Sequence, residues 1–357
     1  METQVKKILK ISLLFAGLVF IAACMPETPI PAITPTSALV TPTGSPPATA
    51  LPPTLPPTPT ATLLPPSTPS PEPAATPSAV PTLSAGGIPN FSHLVIFVFE
   101  NREFGFVIGN SQMPNFNKWA NENTLLTQFY AITHPSLPNY LAMIGGDTFG
   151  ITSDCEDCFF NARSLPDLIE ASGRDWRTYQ EDMPKPCATR STLSYAVKHN
   201  PFVYFDPIRT DAARCEQHIV PLTDLDPDLA AGALPHYAFI MPNICNSAHD
   251  CPLDIADSWM GVWVNKILSS SAYDASTLVI LTWDEGQGNH GCCGLDPAGG
   301  RIATVLISPL VRHGFQDNTP YTHYSLLKTI ETGWGLELLG HSAEPQNVLI
   351  QAPFEKP

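Results

Sequence analysis

The sequence predicts an α/β fold, with a mostly parallel central sheet covered by helices on both faces. Two observations lead there. Four short, continuous apolar runs at 93–99, 236–241, 277–283 and 303–307 are rich in β-branched and aromatic residues, as expected of strands buried on both faces. Helix-type segments alternate with them, as crossings between parallel strands require. In such sheets chemistry gathers at the carboxyl ends of the strands.

In chain order, residues 1–24 read as a leader. Lys6, Lys7 and Lys10 precede an apolar run, 11–23, that is shorter than the roughly 20 residues needed to span a bilayer. It ends in Ile21-Ala22-Ala23-Cys24, which resembles the bacterial lipobox. That resemblance implies cleavage before Cys24, lipidation of Cys24, and an extracytoplasmic domain anchored to the membrane or cell surface by its lipid. Residues 25–88 hold 19 of the 39 prolines and two charges, Glu27 and Glu72. So little bulky apolar surface cannot offset the entropy of ordering, and the segment reads as a disordered Pro/Thr/Ser-rich linker.

The catalytic domain is expected over 89–357. Its 15 basic and 30 acidic residues account for the whole net charge of −15, which argues against nucleic acid as a binding partner. Eight cysteines fall in it, an even number that suits disulfides in an exported protein. The simplest pairs are Cys155 with Cys158, Cys187 with Cys215, and Cys245 with Cys251. Cys155-Glu-Asp-Cys158 also has redox or zinc spacing, but no matching second pair follows it. A bond between the neighbours Cys292 and Cys293 would strain the backbone, so distant partners are the alternative. The sequence sets no oligomeric state.

Within the domain, 93–99 is the first strand, and Glu100-Asn101-Arg102 follows it directly. Next comes Thr133-His134-Pro135-Ser136-Leu137-Pro138-Asn139-Tyr140, where Pro138 suits a first helical turn and Ser136 is either an N-cap or a nucleophile favoured by a helix N-terminus. A helix is expected over 164–172, capped by Ser164 and stopped by Gly173. The strand at 236–241 leads into a loop holding Asn243, Asn246, His249 and Asp250. A helix over 254–269 follows, then the strand 277–283 with Asp284-Glu285-Gly286 at its end. The strand 303–307 and a helix over 322–332, with Gly333 after it, complete the pattern. If the strands before Glu100 and Asp284 are neighbours, four oxygen-bearing side chains converge. Such ligands favour a hard or borderline divalent cation. Taken singly, each pair could equally be a cap or a surface turn.

The order E-N-R, T-H-P-S-L-P-N-Y, P-N-I-C-N-S-A-H-D-C-P, W-D-E-G-Q-G-N-H, Y-T-H-Y-S-L-L-K-T-I-E resembles the phosphoesterase family, which groups bacterial and plant phospholipases C with acid phosphatases in the alkaline-phosphatase-like superfamily. The resemblance spans about 93–340. It implies an alkaline-phosphatase-like fold and a divalent metal (calcium, magnesium, manganese, iron or zinc) held by Glu100, Asn101, Asp284 and Glu285. It also implies Ser136 as the nucleophile that forms a phosphoserine intermediate. Tyr140 stands where phospholipases C of the family have an arginine, which favours the phosphatase branch. Among the motif histidines, His290 and His323 are the first choices for the proton donor. His134, Asn139, Asn243, His249 and Asp250 are expected to face substrate or support the site, whereas His199 and His313 read as ordinary residues. The expected substrate is a small phosphate monoester. A phospholipase C and an inactive surface-binding module are the alternatives.

Overall fold

The computed structural model describes residues 83, 84 and 86–355, so the leader, Cys24 and nearly all of the Pro-rich linker lie outside the described residues. The elements run β1 (Leu94–Phe99), α1 (Phe104–Val107), α2 (Pro114–Glu122), β2 (Thr124–Tyr130), α3 (Ser136–Gly145), α4 (Leu165–Ala171), β3 (Trp176–Gln180), α5 (Asp206–Arg209), α6 (Ala212–His218), β4 (Ile219–Pro221), α7 (Leu225–Ala231) and β5 (Tyr237–Met241). They continue with α8 (Leu253–Ser269), β6 (Leu278–Trp283), β7 (Arg301–Ile307), β8 (Phe315–Asp317), β9 (Tyr321–Thr322) and α9 (His323–Trp334). Strand order in the sheet is β4-β3-β5-β1-β6-β7-β2-β8, and β9 joins β2.

Every residue of β1, β5 and β6 is buried, as expected of strands covered on both faces. The sheet is mostly parallel, but β7 runs antiparallel to both β6 and β2. The run at 303–307 is thus a strand of the opposite direction from its neighbours. β1 and β6 pair in parallel with Phe99 opposite Trp283, whose rings lie 5.4 Å apart. That register sets residues 100 and 284 side by side at the carboxyl edge.

The helices follow their signals closely. Ser164 and Asp167 form a capping box on α4, each satisfying donors that the first turn leaves free. α9 passes through Gly333 and stops at the left-handed Gly335. Gly333 is needed for close approach instead, since a Cβ there would meet Ile88 and the Pro89 carbonyl at 3.0 Å. Ile88 is itself fully buried, and Leu83 bridges to Pro89, so packed chain reaches back to these residues. The three expected cysteine pairs are bonded, and Cys292 is joined to Cys293 instead of to distant partners.

Candidate active site

The ends of β1 and β6 supply the acidic part of the site. Glu100 and Asp284 are fully buried. Asn101 takes a left-handed backbone (φ 56), a conformation uncommon outside glycine, and its N–H donates to Asp284 Oδ1 at 2.9 Å. Asn101 Nδ2 and Ser136 Oγ both donate to Glu100 Oε2, at 3.0 and 3.1 Å. Ser136 is the first residue of α3, where the helix presents unpaired backbone N–H groups that favour negative charge. Tyr140, one turn on, donates its hydroxyl to Glu100 Oε1 and so holds a site carboxylate.

These carboxylates are crowded. Burial, with Asp284 nearby, holds the Glu100 carboxyl well above the usual range. Burial also raises Asp284. Glu285 is pushed up to about 9 by burial together with Asp284 and Asp154. Asp284 Oδ2 and His199 Nε2 are buried polar atoms without a hydrogen-bond partner. Such atoms carry a desolvation cost that a bound cation would remove, so the donor set fits a divalent metal.

Glu285 leans toward the loop before α3. Its Oε2 lies 3.0 Å from His134 Nδ1 and accepts from Asn139 Nδ2 at 3.2 Å. Asn139 Oδ1 in turn accepts from the backbone of Ile132 and Thr133, shaping the turn that presents Ser136. Glu103, just beyond the β1 motif, accepts from the N–H groups of Gln287, Gly288 and Arg301 and so fastens the loop that follows Glu285. A Cβ at Gly286 would sit 2.3 Å from the Glu103 carboxylate and would displace it from this loop.

Facing this set are residues from loops. Asp154 accepts from Leu137 N–H at 3.0 Å and from Lys198 Nζ at 2.8 Å. His199 Nε2 lies 3.0 Å from Glu100 Oε1 without the alignment of a hydrogen bond, and burial, reinforced by Lys198 and His249, holds its ring uncharged. His249 Nδ1 is 2.6 Å from Asp250 Oδ1, and its Nε2 lies 3.4 Å from Lys198 Nζ. Glu100, His199 and His249 each place a ligand-type atom within 4.8 Å of the others. Asn243 instead shapes its own loop, its Oδ1 accepting from the N–H groups of Cys245 and Asn246.

The chain belongs to the phosphoesterase family. The model of that family, described as "Phosphoesterase family", matches residues 110–337. The chain is 34% identical to a phosphatidylinositol-3-phosphatase of Mycobacterium tuberculosis, over 73% of this chain and 82% of that protein. It is 37% identical to an acid phosphatase of Aspergillus fumigatus (65% of this chain, 53% of the relative) and 36% identical to a phosphate-repressible acid phosphatase of Penicillium chrysogenum (63% and 55%). The chain thus spans about half the length of those two fungal relatives. The fold is similar to that of a solved Bacteroides thetaiotaomicron protein described in terms of glycosaminoglycan metabolism, with TM-score 0.51 and 10% identity over 74% of this chain and 82% of that one. A Vibrio parahaemolyticus protein of the alkaline phosphatase superfamily gives TM-score 0.49 and 16% identity, over 74% and 72%.

The structure treats the motif residues of this family member unequally. Glu100, Asn101, Ser136, Asp284 and Glu285 converge, and His134, Asn139, His249 and Asp250 stand beside them. The two histidines first chosen as proton donors are placed in contrasting surroundings. His290 is exposed, and its ring makes no hydrogen bond or ion pair among the described residues; only its carbonyl is engaged, accepting from Gly300 N–H. His323 is fully buried against the Asp284 carbonyl, 2.6 Å from its Nε2, and burial drops its pKa to about 4. Its Nε2–H is committed to the strand end, and near neutral pH the ring lacks the second proton that would make it an acid. Lys198, Asp154 and His199 are the residues that sequence reasoning missed. Their only signal is a Lys-His pair in an apolar stretch bracketed by Cys187 and Cys215, and that is weak.

Proposed function

We propose that the protein is a metal-dependent phosphoesterase that hydrolyses phosphate monoesters through a phosphoserine intermediate on Ser136. One observation bears most of the weight: a buried serine at a helix N-terminus, hydrogen-bonded to Glu100, beside an Asp284 oxygen with no partner. Glu100, Asn101, Asp284 and Glu285 would hold the metal. Bound there, a divalent cation offsets phosphoryl charge and lowers the pKa of a coordinated hydroxyl.

The chain's own groups do the rest. Glu100 Oε2 accepts from the Ser136 hydroxyl and so orients it, and the hydroxyl proton would pass to solvent when a bound cation lowers its pKa. The start of α3 favours the charge that builds on the attacked phosphoryl group. Asp250 fixes Nδ1 of His249, leaving Nε2 on the cluster side, where a ring protonated at both nitrogens would give the leaving alkoxide its proton and later take one from the attacking water. The Lys198 ammonium beside that Nε2 opposes a second cation between His199 and His249. The names of the relatives, acid phosphatases and a phosphatidylinositol-3-phosphatase, support a monoesterase over a phospholipase C.

Four disulfides among the described residues suit an oxidising compartment, in keeping with export and a lipid at Cys24. Among the described residues no helix is long and apolar enough to cross a membrane. The reaction is tested by Ser136→Ala, expected to lower turnover of a chromogenic phosphomonoester by roughly a thousandfold or more. Undiminished activity would overturn the reading.

A further inference from the structure

We propose that Lys198 grips the transferring phosphoryl group and selects phosphate monoesters over diesters, an inference that rests on the phosphoesterase reading of the same site.

The site is short of positive charge. Asp284 bears on both Glu100 and Glu285, and Asp154 on Glu285, whereas a monoester substrate brings up to two negative charges and three acceptor oxygens. The family arginine is absent, since Tyr140 occupies its position and donates to Glu100. Arg102 does not replace it, because its guanidinium is turned onto the carbonyls of Asn101 and Ala248, at 3.1 and 2.6 Å. Lys198 remains.

Three contacts define its place. Asp154 uses one oxygen for Leu137 N–H and the other for Lys198 Nζ, so a single carboxylate ties the ammonium to the residue next to Ser136. On its other side lies His249 Nε2, at 3.4 Å. The lysine charge is also felt by Glu100, Asp284 and Glu285, which places it over the same cluster. Its side chain is 20% exposed, so a ligand can reach it. An ammonium has three hydrogens. Asp154 takes one and the His249 contact is long, which leaves donor capacity for an incoming anion. Burial works against this charge, yet the Asp154 hydrogen bond and the Glu100, Asp154 and Asp284 carboxylates hold the lysine pKa above its ordinary value.

A purely structural counterion to Asp154 would behave differently. A diester has one fewer free oxygen and one fewer charge, so a cation aimed at the third oxygen matters chiefly for monoesters. It would also govern affinity for inorganic phosphate, the product.

The experiment compares the metal-loaded full chain with its K198M and K198R variants. It measures inorganic phosphate affinity by calorimetry, kcat/KM on p-nitrophenyl phosphate and bis(p-nitrophenyl) phosphate, metal content and melting temperature. Lys198→Met is expected to weaken phosphate binding and monoester kcat/KM by about tenfold to a hundredfold, the value of one charge-assisted hydrogen bond. Diester kcat/KM and metal content should stay close to wild type, and Lys198→Arg should recover most of the loss. Equal losses on monoester and diester, phosphate affinity unchanged in K198M, or a wild type that binds no phosphate would each overturn the proposal. If K198M melts early, K198R decides: a stable K198R with phosphate affinity as poor as that of K198M overturns it. Hydrolysis that depends on Ser136 yet is indifferent to Lys198 would leave the phosphoesterase reading standing and remove this inference alone. Phosphate binding that depends on Lys198 without turnover would do the reverse.

Discussion

The two walls of the site are built on opposite principles. Glu100, Asn101, Asp284 and Glu285 stand at the ends of two central, fully buried strands in matched register, and Lys198, the cation that acts on Glu100, comes from the facing wall. Asp154, Lys198, His199 and His249 come from loops. Asp154 adjoins the Cys155–Cys158 bridge, Lys198 and His199 lie between the bonded Cys187 and Cys215, and His249 sits inside the Cys245–Cys251 loop. Strand ends give placement with little conformational freedom, which a metal site needs. Loops tied by disulfides can present basic groups to a substrate without the support of a sheet. On the function proposed above the difference amounts to a division of labour, in which the strand wall would hold the cation and the loop wall would meet the anionic substrate.

The largest effect that could break this division comes from the strand wall. Asp284→Asn should strip the metal from the purified protein and lower phosphomonoester turnover by roughly a thousandfold. Elemental analysis beside an activity assay checks it. Full metal content in that variant would show that the strand wall is not the metal-holding side, whereas the Lys198 variants described above should keep their metal.

Much of the strand wall was legible in the sequence. β1, β5 and β6 are unbroken apolar runs, and the polar pairs after β1 and β6 mark where the sheet ends. β2 and β3 were not, because TLLTQFY and WRTYQ interleave polar residues whose partners lie elsewhere in the chain. Arg177 in β3 is satisfied by Asp228 at 2.6 Å, 51 residues on, which no local pattern shows. The direction of β7 was equally hidden, since a continuous apolar run does not reveal which way it travels. The loop wall was the least legible part. Lys198 and His199 occupy a single 3-10 turn, Val197–His199, and reach the site only through tertiary contacts with Asp154 and Glu100. The surroundings of His323 were hidden for a related reason, since burial decides whether an imidazole can take up a second proton and sequence spacing does not report it.

The smallest expected effect sharpens the comparison from outside the site. Glu331 is also a fully buried carboxylate, and burial pushes it up to about 8. Both of its oxygens have a donor, Leu339 N–H at 2.9 Å and Ser342 Oγ at 2.6 Å, whereas Asp284 Oδ2 has none, so Glu331 calls for no cation. Its folded pKa exceeds the unfolded value of 4.5, so its contribution to stability is complete below that pH and is lost as pH rises through about 8. Glu331→Gln should remove this decline, at most about 1.4 kcal/mol per pH unit, from melting temperatures measured between these limits, with metal content unchanged. An unaltered slope would mean that Glu331 does not hold a proton in the fold.

The most direct measurement is to mix the metal-loaded protein with excess phosphomonoester, quench in acid within a turnover, and map the modified peptide by mass spectrometry. The account predicts a phosphoryl group on Ser136, at the junction of the two walls, and none in Ser136→Ala. Sustained turnover with Ser136 unmodified at every quench time, or a phosphoryl group on a histidine instead, would contradict it.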